Sequence, residues 1–184
     1  MRITGGIAKG QRLIVPKNYH LRPTTDIVRE AAFAILDPIV SDLSRVLDLY
    51  AGSGALGIEA LSRNAEWADF VDREVRSCTV IKQNLEKTRL AKKAHVYCCS
   101  VAKALTFLSD EYGIIFVDPP YSDSSLNNLI PKLANSKLAG GRSLIVTFHA
   151  ARFPLNSVYG ELYLIKERRY GDTCIAIYQK ELIS

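Results

Sequence analysis

Asp118-Pro119-Pro120-Tyr121 holds more chemistry than any other four residues of this sequence. An apolar run, Gly113 to Val117, precedes it and reads as a buried strand, so the four residues stand where a strand ends and a loop begins. In open α/β sheets, ligands bind outside the carboxyl ends of strands. An acid, two prolines and an aromatic ring at such a point suit a planar amine. The Asp118 carboxylate and the Pro119 carbonyl can accept two N–H bonds, and proline brings no N–H of its own to compete. Tyr121 offers a flat face for a base drawn out of its stack. Positioning and preorganised acceptors would carry such a reaction, without a strong general base. His20, His95 and His149 fall in no recognisable motif and receive no catalytic role.

A second loop complements the first. Asp48-Leu49-Tyr50-Ala51-Gly52-Ser53-Gly54-Ala55-Leu56-Gly57 follows a predicted strand and opens a helix. Gly52, Gly54 and Gly57 match the spacing of the dinucleotide fingerprint, a weak signal when alone. Glycines allow a tight turn and a close ligand, and the helix N–H groups face an anion. A nicotinamide cofactor would place pyrophosphate there. S-adenosylmethionine would place its methionine carboxylate there, with Asp48 on its ammonium group. Asp72, 20 residues beyond Gly52, ends the next strand. It can accept from both ribose hydroxyls or cap the helix that begins near Glu74. Both cofactors fit these features, and the Asp118 element favours the methyl donor.

Alternating strands and helices must position these loops. Strands are predicted at Arg45 to Leu49, Trp67 to Val71, Ala94 to Cys98, Gly113 to Val117 and Ser143 to Phe148. Helices are predicted at Leu56 to Ser62, Val75 to Arg89, Val101 to Leu108 and Leu126 to Ala134, after a first helix capped by Thr24 or Thr25. Glu161 to Arg168 and Cys174 to Gln179 form a hairpin, which makes the last strand antiparallel to its neighbour. The expected fold is a Rossmann-like, doubly wound, mostly parallel sheet with an antiparallel carboxyl-terminal strand. Ahead of it, Arg2 to Thr4 and Gln11 to Val15 read as a small β-hairpin. The expected division is an extension at 1–20 and a catalytic domain at 21–184.

The chain has 184 residues, 48% of them hydrophobic, enough for one sizeable core. No apolar run reaches the length of a membrane span, and the start lacks the apolar centre of a signal peptide, so a cytoplasmic location is expected. Cys78, Cys98, Cys99 and Cys174 form no CxxC pair and have no histidine at ligand spacing; buried reduced thiols and no metal are expected. The formal net charge is +5. Residues 1 to 30 hold six basic and two acidic side chains, hence +4 of it. A basic end on a near-neutral body suits a polyanion. Arg2, Lys9, Arg12 and Arg22 are the expected phosphate contacts, with Thr24 and Thr25 beside them. Arg29 is set apart, because Asp26 or Glu30 can pair with it on the same helix.

The order of these motifs resembles class I methyltransferases that act on exocyclic amines, and more narrowly the RsmD family. The likeness is carried by Arg2-Ile3-Thr4-Gly5-Gly6, by Lys9 to Leu13, by Leu21 to Glu30, by Asp48 to Leu61, by Asp118 to Tyr121 and by Tyr170-Gly171-Asp172-Thr173. It implies S-adenosylmethionine-dependent methylation of a guanine N2 amine in bacterial 16S rRNA. The enzyme would be a monomer acting on a 30S subunit or an assembly intermediate. It further implies cofactor contacts from Asp48, Ala51, Gly52, Ser53, Gly54, Gly57, Asp72, Arg73, Ser100 and Val101, and a catalytic element of Asp118, Pro119, Pro120 and Tyr121. One place departs from the pattern: many relatives carry an Asp at the end of the third strand, where this chain has Ser100. A neutral hydroxyl accepts more weakly there, and Ser100 can equally cap a helix. A DNA adenine-N6 methyltransferase and a non-catalytic RNA-binding assembly factor are the alternatives. A target-recognition domain for duplex DNA would mark the first, and a broken glycine loop or a lost Asp118 the second.

Overall fold

The computed structural model describes residues 1–16, 25–119 and 126–180. Thr25 caps α1 (Asp26–Leu36) by accepting from the Val28 N–H, and Asp26 lies at the positive end of the helix dipole. Four repeats of strand and helix follow it, closed by a fifth strand. They are β1 (Arg45–Leu49), α2 (Ala55–Ser62), β2 (Trp67–Asp72), α3 (Val75–Lys87), β3 (Ala94–Cys98), α4 (Val101–Phe107), β4 (Ile114–Val117), α5 (Leu126–Ala134) and β5 (Leu144–Ala150). Three strands end the chain, namely β6 (Val158–Tyr159), β7 (Leu162–Tyr170) and β8 (Thr173–Lys180).

One sheet contains all eight strands in the order β3-β2-β1-β4-β5-β8-β7-β6. The first five pair in parallel, while β8 runs antiparallel to both β5 and β7. The expected doubly wound sheet with an antiparallel carboxyl end is therefore the fold. Alternate residues of the central strands serve opposite faces. Val46, Phe70, Ile114, Phe116 and Val146 pack with Phe33, Ile58 and Ile81 from α1, α2 and α3. Leu47, Val71, Ile115, Val117 and Ile145 pack with Ala104 and Ile130 from α4 and α5. Because both faces are covered, β1 and β4 are buried almost throughout instead of alternating, and β4 is wholly apolar.

Three local features differ from the sequence reading. The hairpin turn shrinks to Gly171-Asp172, since Tyr170 already pairs with Thr173, and Gly171 takes a φ of 61°. The two-residue β6 has no sequence signal beyond its β-branched and aromatic residues. Cys98 is exposed and Cys99 half-buried instead of both being buried, because β3 is an edge strand with only one neighbour.

The N-terminal segment departs further from expectation. Instead of two strands it forms a loop closed by one antiparallel bridge, Arg2 to Arg12. The Ile3 and Leu13 N–H groups make that bridge by donating to the Gln11 and Met1 carbonyls, but the donors between them at Thr4, Gly5, Ile7 and Ala8 are spent on α2. Thr4 and Gly5 N–H groups donate to the Glu59 carboxylate at 2.7–3.1 Å. The Ile7 N–H donates to the Ser62 carbonyl at 2.8 Å, and the Ala8 N–H to the Ser62 hydroxyl at 2.9 Å. A backbone whose donors point into a helix cannot also use them in a ladder. Gly6, at φ 74°, permits the approach, for a Cβ there would sit 1.7 Å from the Ser62 carbonyl oxygen.

Candidate active site

The order of strands reverses about β1, whose neighbours are β2 and β4. The crevice outside the carboxyl ends of these strands is the topological switch point of the sheet. Register brings Leu49 level with both Val71 and Val117. The Asp118 N–H faces the Leu49 carbonyl at 3.5 Å, and the Ala51 N–H donates to the Val71 carbonyl at 3.1 Å. Two loops that lie far apart in sequence therefore meet at one point.

The glycine loop has the conformation its residues allow. Gly52 and Gly54 take φ of 56° and 77°, and Gly54 precedes the first turn of α2. Gly57 packs α2 onto the sheet, where a Cβ would stand 2.4 Å from the Phe70 ring. Tyr50 also takes a positive φ, 59°. For a bulky residue this costs on the order of 1–3 kcal/mol and is concentrated at functional sites. An aromatic residue between a buried strand and Ala-Gly was the only trace of it in the sequence.

Three acids gather beneath the loop. The buried Asp48 accepts from the Gly57 N–H through Oδ2 at 2.9 Å, while its Oδ1, also buried, has no hydrogen-bond partner. Burial pushes its carboxyl well above the usual carboxylate range, with the nearby charges of Asp118 and Asp72 adding to the rise against the opposing Gly57 bond. Asp72 accepts from the Gly52 N–H at 2.8 Å and from the Glu74 N–H at 2.8 Å. Burial raises its carboxyl too. Asp72 thus fastens the glycine loop to the end of β2 and braces the chain just ahead of α3, whose N-cap position is held by Glu74 and not by Asp72. Asp118 is half-buried and Pro119 buried.

The other expected contacts are placed less centrally. Ala51 and Ser53 are buried in the loop. Arg73 is exposed and paired with Glu74 at 3.3 Å. The Ser100 hydroxyl caps α4 by accepting from the Lys103 N–H at 3.2 Å, and Val101 is buried beneath it. Arg2, Lys9 and Arg12 are exposed. Thr25 is engaged as the α1 cap. Pro120, Tyr121, Arg22 and Thr24 lie outside the described residues. Arg29 is buried and pairs with Asp26 at 3.0 Å and Glu59 at 3.2 Å, not with Glu30.

Asn84 was missed by sequence reasoning. From α3 its side chain donates to the Ser53 and Ile14 carbonyls, each at 2.9 Å, and accepts from the Ile14 N–H at 2.8 Å. It joins the N-terminal segment to the glycine loop. An isolated Asn on an amphipathic helix carries no sequence signal for such a role.

Chemically, a cationic donor beside the unpaired oxygen of Asp48 would favour the ionised form that burial disfavours. A dinucleotide pyrophosphate would bring negative charge against three acids. S-adenosylmethionine would bring an ammonium group and ribose hydroxyls, which fit Asp48 and Asp72.

A family model described as "Conserved hypothetical protein 95" matches residues 1–179. The chain belongs to this family, the RsmD family. A Bacillus subtilis (strain 168) protein named "Putative rRNA methyltransferase YlbH" is 38% identical over 98% of this chain and 99% of its own length. "Ribosomal RNA small subunit methyltransferase D" of Escherichia coli (strain K12) is 35% identical over 98% of this chain and 90% of its own. A solved structure described as "Putative methyltransferase yhhF from Escherichia coli" is 34% identical, covers 98% of each chain and has a TM-score of 0.86. This chain thus shares its fold with that structure along nearly its whole length.

Proposed function

We propose that this chain is an S-adenosylmethionine-dependent methyltransferase that modifies the N2 amine of a guanine in 16S rRNA. The observation that carries the reading is the meeting of Asp118-Pro119 with the acid-lined glycine loop at the switch point. The names of its family relatives support ribosomal RNA as the substrate.

When bound, S-adenosylmethionine supplies an electrophilic methyl group. Asp48 would hold its ammonium group, Asp72 its ribose hydroxyls, and Ala51, Gly52, Ser53, Gly54 and Gly57 would line its path, with Arg73, Ser100 and Val101 at the margin. Asp118 and the Pro119 carbonyl would accept the two N–H bonds of the target amine. Those bonds fix the nitrogen and favour its pyramidal form, which frees a lone pair otherwise delocalised into the ring. The carboxylate also offsets the positive charge that develops on nitrogen. Pro120 would complete the turn and Tyr121 would stack on the extruded base.

Residues 1–20 would form the RNA-contacting extension of a catalytic domain spanning 21–184, with Arg2, Lys9, Arg12 and Arg22 on phosphates and Thr24 and Thr25 beside them. Its docking on α2 and its link through Asn84 to Ser53 support a fixed position relative to the cofactor loop. The enzyme would act as a cytoplasmic monomer on a 30S subunit or an assembly intermediate. No helix among the described residues is long and apolar enough to cross a membrane.

The test is transfer of labelled methyl from S-adenosylmethionine to 30S particles lacking the modification, followed by digestion to nucleosides. Label in N2-methylguanosine is expected. Asp118→Ala should reduce turnover by at least about 10²-fold while cofactor binding changes little. Label appearing instead in N6-methyladenine of duplex DNA would favour the DNA reading, and unchanged turnover in the variant would remove Asp118 from its role.

A further inference from the structure

The four cysteines show no metal-binding spacing in sequence, yet the sheet assembles a ligand set around one of them. His149 near the end of β5 pairs in register with Cys174 near the start of β8, and Glu167 reaches the same place from β7. The imidazole Nε2, the Cys174 Sγ and a Glu167 carboxylate oxygen all lie within 4.8 Å of one another. His149 is 95% buried, being 5% exposed, and its Nε2 has no hydrogen-bond partner. The nearest Glu167 oxygen is 3.7 Å away, beyond hydrogen-bond distance.

The tautomer explains why that nitrogen is available. Nδ1 lies 3.0 Å from the Phe153 carbonyl oxygen and 3.2 Å from that of Ala150. Carbonyls only accept, so Nδ1 carries the proton and donates, and Nε2 keeps its lone pair. A backbone carbonyl holding the far nitrogen is also how metal-bound histidines are oriented. A lone pair, a sulfur and a carboxylate thus face one another in a mostly buried place, a grouping that a cation would satisfy.

We propose that His149, Cys174 and Glu167 bind a divalent cation of the zinc class, with water completing a tetrahedral shell. The mixed nitrogen, sulfur and oxygen set suits zinc, whereas magnesium and calcium take oxygen ligands. Tetrahedral ligand atoms at zinc distances lie roughly 3.3–3.8 Å apart, which the His149–Glu167 separation already meets. The Cys174 sulfur lies within 4.8 Å of both other ligand atoms, and the exposed Glu167 side chain is able to move toward it. The cation would displace the thiol proton of Cys174. It would link β5, β8 and β7 beside the Gly171-Asp172 turn, beginning on the strand next to β4, which leads into Asp118.

Titration of the metal-free chain with Co²⁺ tests this, because a cobalt–thiolate bond has a charge-transfer absorption in the near ultraviolet. One equivalent is expected to produce the band, Zn²⁺ to displace it, and Cys174→Ser to abolish it. Glu167→Gln changes only an exposed side chain and is expected to weaken binding by at least about tenfold. No band in the native chain, or a band that survives Cys174→Ser, would overturn the site. Unchanged affinity in Glu167→Gln would remove Glu167 and with it the three-residue site proposed.

Discussion

At the scale of the residue, Asp48 has surroundings that oppose its charge. Its carboxyl is buried, one oxygen is unpaired, and two other acids raise its pKa further. The direction of the shift determines its effect on stability. The folded chain keeps the Asp48 proton through a pH range in which the unfolded chain has already lost it. Stability of the ligand-free protein therefore falls as pH rises from the ordinary Asp value through the raised one, and stays reduced above it. Asp48→Asn removes that loss and can still accept from the Gly57 N–H. It should raise the melting temperature of the ligand-free protein at neutral pH, by about 2–4 °C for each kcal/mol regained, with the difference vanishing in acid. The same variant should bind S-adenosylmethionine more weakly, since a neutral amide is a poorer partner for an ammonium group. Differential scanning calorimetry and isothermal titration read the two effects separately, and a lower melting temperature would mean that the charge is already compensated. Asp48, Asp72 and Asp118 were legible as strand-end acids. Their mutual electrostatic effect was not, because it depends on separations between residues 24 to 70 positions apart.

At the scale of the element, α2 does two tasks. Its first turn carries the glycine loop, and its buried Glu59 gathers the Thr4 and Gly5 N–H groups, the Thr4 hydroxyl, Arg29 and Arg63. Arg29 continues the network by donating to the Arg2 carbonyl and to Asp26. Breaking a buried pair by removing one partner costs about 3–5 kcal/mol, because the remaining charge is left uncompensated. Glu59→Ala should therefore lose stability on that order in urea unfolding, and residues 1–16 should become the first site of limited proteolysis. A small change in both would mean that other contacts hold the segment. The sequence reading of residues 1–15 as a hairpin followed local β-propensity. That propensity was overruled by a carboxylate and a hydroxyl on α2, which offer the same donors acceptors in a buried place. Where no such competitor exists, as in β3 and α5, the expected and observed bounds coincide.

At the scale of the whole molecule, charge and topology point the same way. Most of the net positive charge belongs to residues 1 to 30, while Asp48, Asp72 and Asp118 lie at the carboxyl ends of the central strands. On the RNA reading proposed above, exposed Arg2, Lys9 and Arg12 would offer their charges to phosphates. Replacing any one of the three by Ala should reduce the slope of log K against log salt for RNA binding by about one, and leave the modified nucleotide unchanged. Affinity independent of salt would dismiss this surface as the RNA contact.

The alternation of strands and helices, the glycine loop, the acid after β2 and the strand-end position of Asp118 were all determined by sequence alone. They are set by local periodicity and by turn-forming residues, which act over a few positions. Tertiary structure decided which strand ends meet. Crossovers place β1 between β2 and β4, so Leu49, Val71 and Val117 finish side by side and their loops share one crevice. It also decided that the N-terminal donors turn to Glu59, that Asn84 joins two loops, and that His149, Glu167 and Cys174 converge from three strands. Each of these rests on side chains distant in sequence, brought together by packing of the sheet and its helices, and no local pattern encodes such a meeting.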